Sequence, residues 1–354
     1  MSSIKTVKTV ENNNTVNSEA LRDSKQRVSQ FSYIKAIACF AIVVLHCFNN
    51  ARVYHAEVLT DAQTTTSFAV CASLMWAVPC FLMVTGALLL DRDRVIPPSK
   101  LFGKYFMRML IALVVFTAIF TVIRHDPAAG TSIFSEFAEG LLLNHCMAYL
   151  WYLYMMLAIY LLMPLFKAVV NRLDDRQLAI LAAVLLVICS LLPLASYLGA
   201  DAAYYIPTWI VYGVYLLLGF LLYRHNIDAR IAAAMLIVCT IAMPLLTVKL
   251  APTDIDPAGL TAYNSPLTVM QSAAVFSLML RIKRGAGKLI ANINRCSFGI
   301  YLIHMIFIRL TMKELGFNPY DYGAAGFIAA AIVFFAASFA ITYVLKKFRL
   351  FSFL

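Results

Sequence analysis

Long apolar segments separated by short polar ones recur along the whole chain. A helix needs roughly 20 mostly apolar residues to cross the ~30 Å hydrocarbon core of a bilayer. The pattern therefore predicts an all-α, polytopic bundle of about ten transmembrane helices. The first and ninth segments are short for a full crossing, so we expect them to tilt little or to lie inside the bundle. The segments lie at about 33–48, 68–90, 105–123, 148–166, 178–198, 207–223, 231–248, 266–281, 297–310 and 323–345.

Composition agrees with a membrane protein. Of the 354 residues, 62% are hydrophobic and 13% are charged, whereas about 25% are charged in an average soluble domain. The net charge of +11 does not indicate nucleic-acid binding, because the excess basic residues lie in alternate loops between apolar segments. The eight cysteines show no metal-ligand spacing, and we expect them to be small packing residues.

The basic residues predict the topology. Of the 29 lysines and arginines, 24 lie on one side of the ten segments, which the positive-inside bias assigns to the cytoplasm. An even number of helices with both termini in the cytoplasm follows. The five basic residues on the other side are Arg52, Arg124, Lys249, Arg309 and Lys313.

Two domains are predicted. Residues 1–30 are polar, rich in Asn, Ser and Thr, and lack the apolar core of a signal peptide, which indicates a disordered cytoplasmic tail. Residues 31–354 form the transmembrane domain, and we expect no soluble domain after it. The stretch 132–145 has a helical apolar period and is predicted to lie in the outer membrane interface.

Ionisable residues inside a membrane are costly and usually functional. Lys35 and His46 are eleven residues apart, close to three full helical turns, so they share one helix face about 16 Å apart along its axis. A neutral imidazole can act as a general base near physiological pH. His304 lies in the middle of the ninth segment. The alternatives are a snorkelling anchor for Lys35 and a buried polar contact for His46.

A basic stripe is predicted on the cytoplasmic side. Lys100, Lys104 and Arg108 follow i, i+4, i+8 spacing, which places them on one face of a helix. Such a stripe suits phosphate groups, and anchoring to anionic lipid heads explains it equally well. The run 281–289 is not a phosphate loop, because Leu289 stands where Ser or Thr is required.

The first two segments resemble the integral-membrane acyltransferases of family 3. The first helix of that family has an Arg, ten further residues and then a His; here Lys35 stands in the Arg position and His46 in the His position. The positive charge is kept, but the planar bidentate fork of Arg is lost. The second segment resembles the family's Pro-x-Phe-Phe-x-x-Ser-Gly, with Pro79 and Gly86 kept and Thr85 in the Ser position.

Two later segments extend the resemblance to nearly the whole chain after residue 30. The run 149–164 is similar to the family's His-Leu-Trp run that ends in Pro, with Tyr149 in place of the His, so a role for an imidazole there is absent or is taken by His145. The ninth segment matches Ser-x-x-x-Tyr-x-x-His at Ser297, Tyr301 and His304. The chain is most similar to the short stand-alone O-acetyltransferases of the enterobacterial common antigen type.

The resemblance implies an enzyme of the bacterial inner membrane. It would move an acyl group to a sugar hydroxyl of an envelope polysaccharide or its lipid-linked precursor. The acyl group expected is acetyl, with acetyl-coenzyme A as its donor. His46, Lys35 and His304 would be catalytic, Lys100, Lys104 and Arg108 would bind the coenzyme, and no permanently bound cofactor or metal is expected. An exporter or flippase for a glycan is the alternative. The segments contain no Asp or Glu well inside a span, which counts against a proton-coupled carrier.

Overall fold

The computed structural model describes residues 29–197, 208–250, 259, 261–351, 353 and 354. The predicted tail 1–30 lies outside them, apart from two residues that begin the first helix. The described residues contain no β-strand. We number the helices α1 Ser29–Tyr54, α2 Asp61–Leu89, α3 Pro98–Arg124, α4 Ile133–Leu143, α5 Ala148–Arg172, α6 Asp175–Ala195, α7 Thr208–Arg224, α8 Ala229–Leu250, α9 Pro266–Met279, α10 Lys288–Glu314 and α11 Pro319–Leu345.

The ten predicted segments all coincide with helices, which confirms an all-α polytopic bundle. Among the residues that the structure describes, eight helices are long and apolar enough to cross a membrane. The expectation that the first and ninth segments are short is wrong, since α1 has 26 residues and α10 has 27. Polar residues near their ends made them look short. Those residues are tolerated because 67% of the most apolar window of α10 is buried inside the bundle.

The expected interior position of the first and ninth segments agrees with the structure, since 56% and 67% of the most apolar windows of α1 and α10 are buried. The eighth segment is a short helix that also lies inside the bundle. It forms α9, which has 14 residues and is therefore only about 21 Å long. Nine of its residues are buried, among them Gln271, Ser272 and Ser277. A helix surrounded by other helices does not need to match the bilayer thickness, because its ends are covered by protein.

Helices α2 and α7 approach each other through two glycines. A Cβ at Gly86 would lie 2.0 Å from the carbonyl oxygen of Leu216, and a Cβ at Gly219 would lie 2.0 Å from that of Met83. Small residues allow such close backbone contact between membrane helices, where van der Waals packing rather than the hydrophobic effect drives association. This contact fixes α2, which carries Thr85, against the interior of the bundle.

Hydrogen bonds bring the loops rich in basic residues to one end of the bundle, called here the basic end. The guanidinium of Arg92 donates to the carbonyls of Val170 and Leu173 and pairs with Asp175 at 2.9 Å. Arg224 pairs with the same carboxylate at 2.9 Å. The loop after α2, the start of α6 and the end of α7 therefore lie together, as the alternation of charge predicts.

Helix α4 lies at the opposite end of the bundle and packs against α3 where a Cβ at Gly140 would contact Thr117. Its Phe134 and Leu142 side chains are largely exposed. The predicted helix within 132–145 is thus present as Ile133–Leu143. Exposed apolar side chains on a helix outside the bundle fit a position in the membrane interface, which stays a prediction.

Candidate functional site

A cavity of about 290 Å³ lies between α1, α2, α3, α5 and α10. Polar groups from four of these helices face it, among them Lys35, Thr85, Arg108 and Ser297. Four residues singled out from the sequence therefore line one space. The remaining lining residues are mostly aromatic or aliphatic: Ile42, Val78, Phe81, Met109, Tyr152, Met156, Tyr160, Asn294, Arg295, Phe298 and Tyr301.

One part of the cavity wall is cationic. Lys35 is half-buried there, and Arg108 and Arg295 line the same space. The amide of Asn294 donates to the Ser32 hydroxyl at 2.9 Å, which ties the start of α10 to the start of α1. A pocket with three cations beside an apolar interior suits a ligand that is anionic at one end and apolar at the other.

The structure divides the predicted basic stripe. Residues Leu101–Phe106 form a π-helical turn, which alters the angular spacing between the three cations. Lys100 and Lys104 are exposed at the basic end, whereas Arg108 lines the cavity.

The guanidinium of Arg108 is already engaged by other groups. It donates hydrogen bonds of 2.6 Å to the carbonyl oxygens of Phe353 and Leu354 and lies 4.6 Å from the centre of the Phe298 ring. A ligand anion at this residue would have to share it with the last residues of the chain or displace them.

His46 and His304 lie together deeper in the bundle. Their ring centroids are 5.2 Å apart, and the Tyr149 ring stands edge-on to both, at 6.3 Å from His46 and 5.9 Å from His304. Asn50 donates to the backbone carbonyl of His46 at 2.8 Å, one turn further along α1. Two histidines chosen from separate sequence motifs thus form one pair.

Hydrogen bonding defines which nitrogen of His304 is available. Its Nδ1 lies 3.1 Å from the carbonyl oxygen of Ile300, a group that can only accept. Nδ1 must therefore carry the proton, which leaves a lone pair on Nε2. That Nε2 is buried and finds no hydrogen-bond partner among the described residues, so it presents an acceptor toward its surroundings.

The cavity and the histidine pair meet at Tyr301. This residue lines the cavity, and its ring centroid is 6.1 Å from that of His304. On α1, Ile42 lines the cavity between Lys35 and His46, as expected for a shared helix face. A group entering past Lys35 would therefore approach the two imidazoles along α1 and α10.

Tyr149 and His145 differ in how they relate to this pair. The Tyr149 hydroxyl donates to the carbonyl of Leu302 at 2.9 Å, so this tyrosine holds α5 against α10. His145 is 63% exposed and pairs with Glu139 at 3.5 Å. Its side chain lies at the opposite end of the bundle and does not supply an imidazole to the histidine pair.

Sequence reasoning missed Asn294 and Arg295 as cavity residues. Asn294 could have been found, since Asn294, Ser297, Tyr301 and His304 follow i, i+3, i+7, i+10 spacing on one face of α10. Arg295 lies off that face and offers no periodic signal. Its place at the cavity follows from the packing of α10 against α1 and α3.

Comparison with known proteins gives one match. The family model of acyltransferase family 3, described as an acyltransferase domain, matches residues 28–347 of this chain. No curated protein and no solved structure matches. The match covers the whole bundle, from the first residues of α1 to the end of α11.

Proposed function

The chain belongs to the membrane-bound acyltransferases of family 3, and we propose on this premise that it acetylates a sugar hydroxyl with acetyl-coenzyme A as donor. It is a multi-pass membrane protein and an acyltransferase for groups other than amino-acyl groups. The proposed acceptor is an envelope polysaccharide or its lipid-linked precursor, and the proposed location is the bacterial inner membrane. The observation that carries this proposal is the histidine pair beyond a cavity with a cationic wall.

The donor fits the cavity by its chemistry. Coenzyme A carries phosphates at one end and a thioester on a long, largely uncharged arm. The exposed Lys100 and Lys104, together with Lys35, Arg108 and Arg295 at the cavity, would attract the phosphates. The arm would then pass Thr85 and Tyr301 toward His46. Phosphate binding by Lys100, Lys104 and Arg108 remains part of the proposal, as does the cytoplasmic position of the basic end.

The reaction needs one proton acceptor. His46 would remove the proton of the sugar hydroxyl while that oxygen attacks the carbonyl carbon of the thioester. The carbon–sulfur bond then breaks, and the coenzyme leaves as a thiolate that recovers the proton from His46. In a two-step version, His46 would first carry the acetyl group itself. His304, with its free acceptor at Nε2, would accept a hydrogen bond from the His46 ring or from the hydroxyl.

The family match favours transfer over the alternative of glycan export. The decisive experiment measures release of free coenzyme A thiol by the purified protein in acetyl-coenzyme A, with and without extracted envelope glycan. Glycan-stimulated release, with acetate on the recovered glycan by mass spectrometry, is the expected result. His46→Ala is the matched inactive variant. A protein that binds the glycan but leaves acetyl-coenzyme A intact would contradict the proposal.

A further inference from the structure

Helices α1 and α10 carry polar groups at three levels along their shared contact. Lys35 and Arg295 line the cavity toward the basic end, and His46 and His304 form the pair in the middle. At the opposite end, about 12 Å beyond His46 along α1, Tyr54 meets Arg309 of α10. The third level has no role in the donor site described above.

Arg309 is a buried cation near the end of α10. Only 8% of the residue is exposed. One terminal nitrogen pairs with Glu314 at 3.1 Å, and the Tyr54 side chain lies close to the guanidinium. Its Nε is buried and finds no partner in the part of the chain that the structure describes. Burying a charge costs free energy unless all its donors are satisfied, so the unused Nε donor makes Arg309 a candidate contact for an anion.

A second cation lies beside the same tyrosine. The ammonium of Lys313 lies 5.8 Å from the centre of the Tyr54 ring. Arg124 belongs to the neighbouring cavity, where it donates to the carbonyl of His145 at 2.9 Å. Two of the five basic residues on this side of the chain, Arg309 and Lys313, are thus gathered beside Tyr54.

The nearby carboxylates only partly balance these charges. Glu314 pairs with Arg309 and is itself 43% exposed. Glu136 of α4 is ionised, since hydrogen bonds with Thr131 and with His125 hold the pKa of its carboxyl below the usual value, and it lines a second cavity together with Arg124, Asp126 and Glu139. Those carboxylates balance Arg124, whereas counting Glu314 against Arg309 and Lys313 leaves a net positive charge beside Tyr54.

We propose that Arg309, Tyr54 and Lys313 bind a phosphate or diphosphate group carried by the acceptor. This inference rests on the proposed function in one respect, namely that an acceptor sugar must reach His46. An anion held at Arg309 would leave about 12 Å between itself and the imidazole for that sugar. Donor and acceptor would then enter from opposite ends of α1 and α10 and meet at the histidine pair.

Equilibrium binding to the full-length protein in a phosphate-free, non-ionic detergent tests the site without catalysis. The probes are farnesyl diphosphate, farnesol as the uncharged control, and glucose 1-phosphate as a free sugar phosphate. We expect farnesyl diphosphate to bind and farnesol to bind at least tenfold more weakly, because charge-assisted hydrogen bonds to Arg are lost. If glucose 1-phosphate binds equally well, the site recognises the anion itself. If glucose 1-phosphate does not bind, the site recognises an anion carried by a lipid.

Three variants test whether farnesyl diphosphate binds at Arg309. Arg309→Gln should weaken binding of farnesyl diphosphate by about tenfold, and the exposed Lys313→Gln by about threefold. Arg52→Gln is the matched control, because Arg52 lies on the same side but stacks over Phe68 at 4.3 Å. The inference is overturned if no anionic probe binds, if Lys313→Gln and Arg309→Gln both bind normally, or if Arg52→Gln weakens binding equally.

Hydrolysis of acetyl-coenzyme A by the same preparations separates this inference from the proposed function. Arg309→Gln and Lys313→Gln should retain it, since neither residue belongs to the donor cavity. A protein that uses the donor but binds no anionic probe refutes the anion site alone. A protein that binds the probe at Arg309 but never consumes the donor refutes the proposed reaction and leaves the anion site standing.

Discussion

The imidazole rings of His46 and His304 lie with their centroids 5.2 Å apart, although one belongs to the first helix of the bundle and the other to the tenth. Nδ1 of His304 is committed to the Ile300 carbonyl at 3.1 Å, so only Nε2 can interact with a partner. The pair is therefore asymmetric. His304 is held as an acceptor by its own helix, while His46 is half-buried.

This asymmetry predicts that the two histidines act as one unit. His46→Ala should lower the transfer rate by about 10²–10⁴, the usual loss for a general base, and by more if His46 carries the acyl group. His304→Ala should also reduce the rate, and the double variant should be hardly slower than His46→Ala, because residues acting together are not additive. The measurement is acetyl transfer to glycan per folded enzyme, with donor binding as the control. Normal transfer by His46→Ala would rule out the mechanism.

Lys35 should act through its charge. Lys35→Arg is expected to keep activity, because the cation is retained at the cavity wall and Arg is the residue that the family resemblance implies there. Lys35→Ala should raise the apparent KM for acetyl-coenzyme A several-fold. Steady-state kinetics with varied donor concentration separate this effect from a loss of kcat. Equal activity in Lys35→Ala and the unchanged protein would reduce Lys35 to a helix anchor.

Lys100 and Lys104 are the accessible part of the predicted coenzyme-binding stripe. The double variant Lys100→Glu, Lys104→Glu should raise the KM for the donor and leave kcat unchanged. Both side chains are exposed and support no packing. Lys249→Glu, an exposed cation at the opposite end, is the matched control. If the donor KM stays unchanged in the double variant, these lysines serve only to anchor the protein to anionic lipid.

The topology prediction is tested by cysteine accessibility. In a variant without the eight native cysteines, a cysteine at Val95 should react with a membrane-impermeant maleimide only after the membrane is opened. A cysteine at Val58 should react in intact spheroplasts. Both positions are well exposed, at 89% and 70%, so a difference reports sidedness rather than burial. Labelling of Val95→Cys from outside would overturn the assignment of 91–104, 167–177, 224–230 and 281–296 to the cytoplasm.

The contact between α2 and α7 predicts a sharp difference between two glycines. Gly86→Ala should destabilise the protein by about 1–3 kcal/mol, the usual range for overpacking, because its Cβ would meet the Leu216 carbonyl at 2.0 Å. Gly103→Ala should have little effect, since no atom lies within 4 Å of the added Cβ. Thermal unfolding in detergent measures both. Similar melting temperatures for the two variants would contradict the packing.

The sequence determined the helices because membrane thickness imposes a length and an apolar character on every crossing segment. Each of the ten predicted segments is a helix in the structure. Periodicity also placed Lys35 and His46 on one face of α1, and the match at Ser297, Tyr301 and His304 marked the face of α10 that meets the cavity and His46. These are local properties, and a single helix expresses them without its neighbours.

Only the tertiary structure decided which helices meet. Lipid is as apolar as a leucine side chain, so hydropathy cannot distinguish a face buried in protein from one facing lipid. For this reason the sequence mistook α1 and α10 for short helices and left the interior position of α9 unrecognised. The approach of α1 to α10 depends on contacts such as Asn294 with Ser32, which no pattern encodes. That approach joins His46 to His304 and brings Tyr54 to Arg309, because shape and hydrogen bonding, rather than hydrophobicity, select the partners.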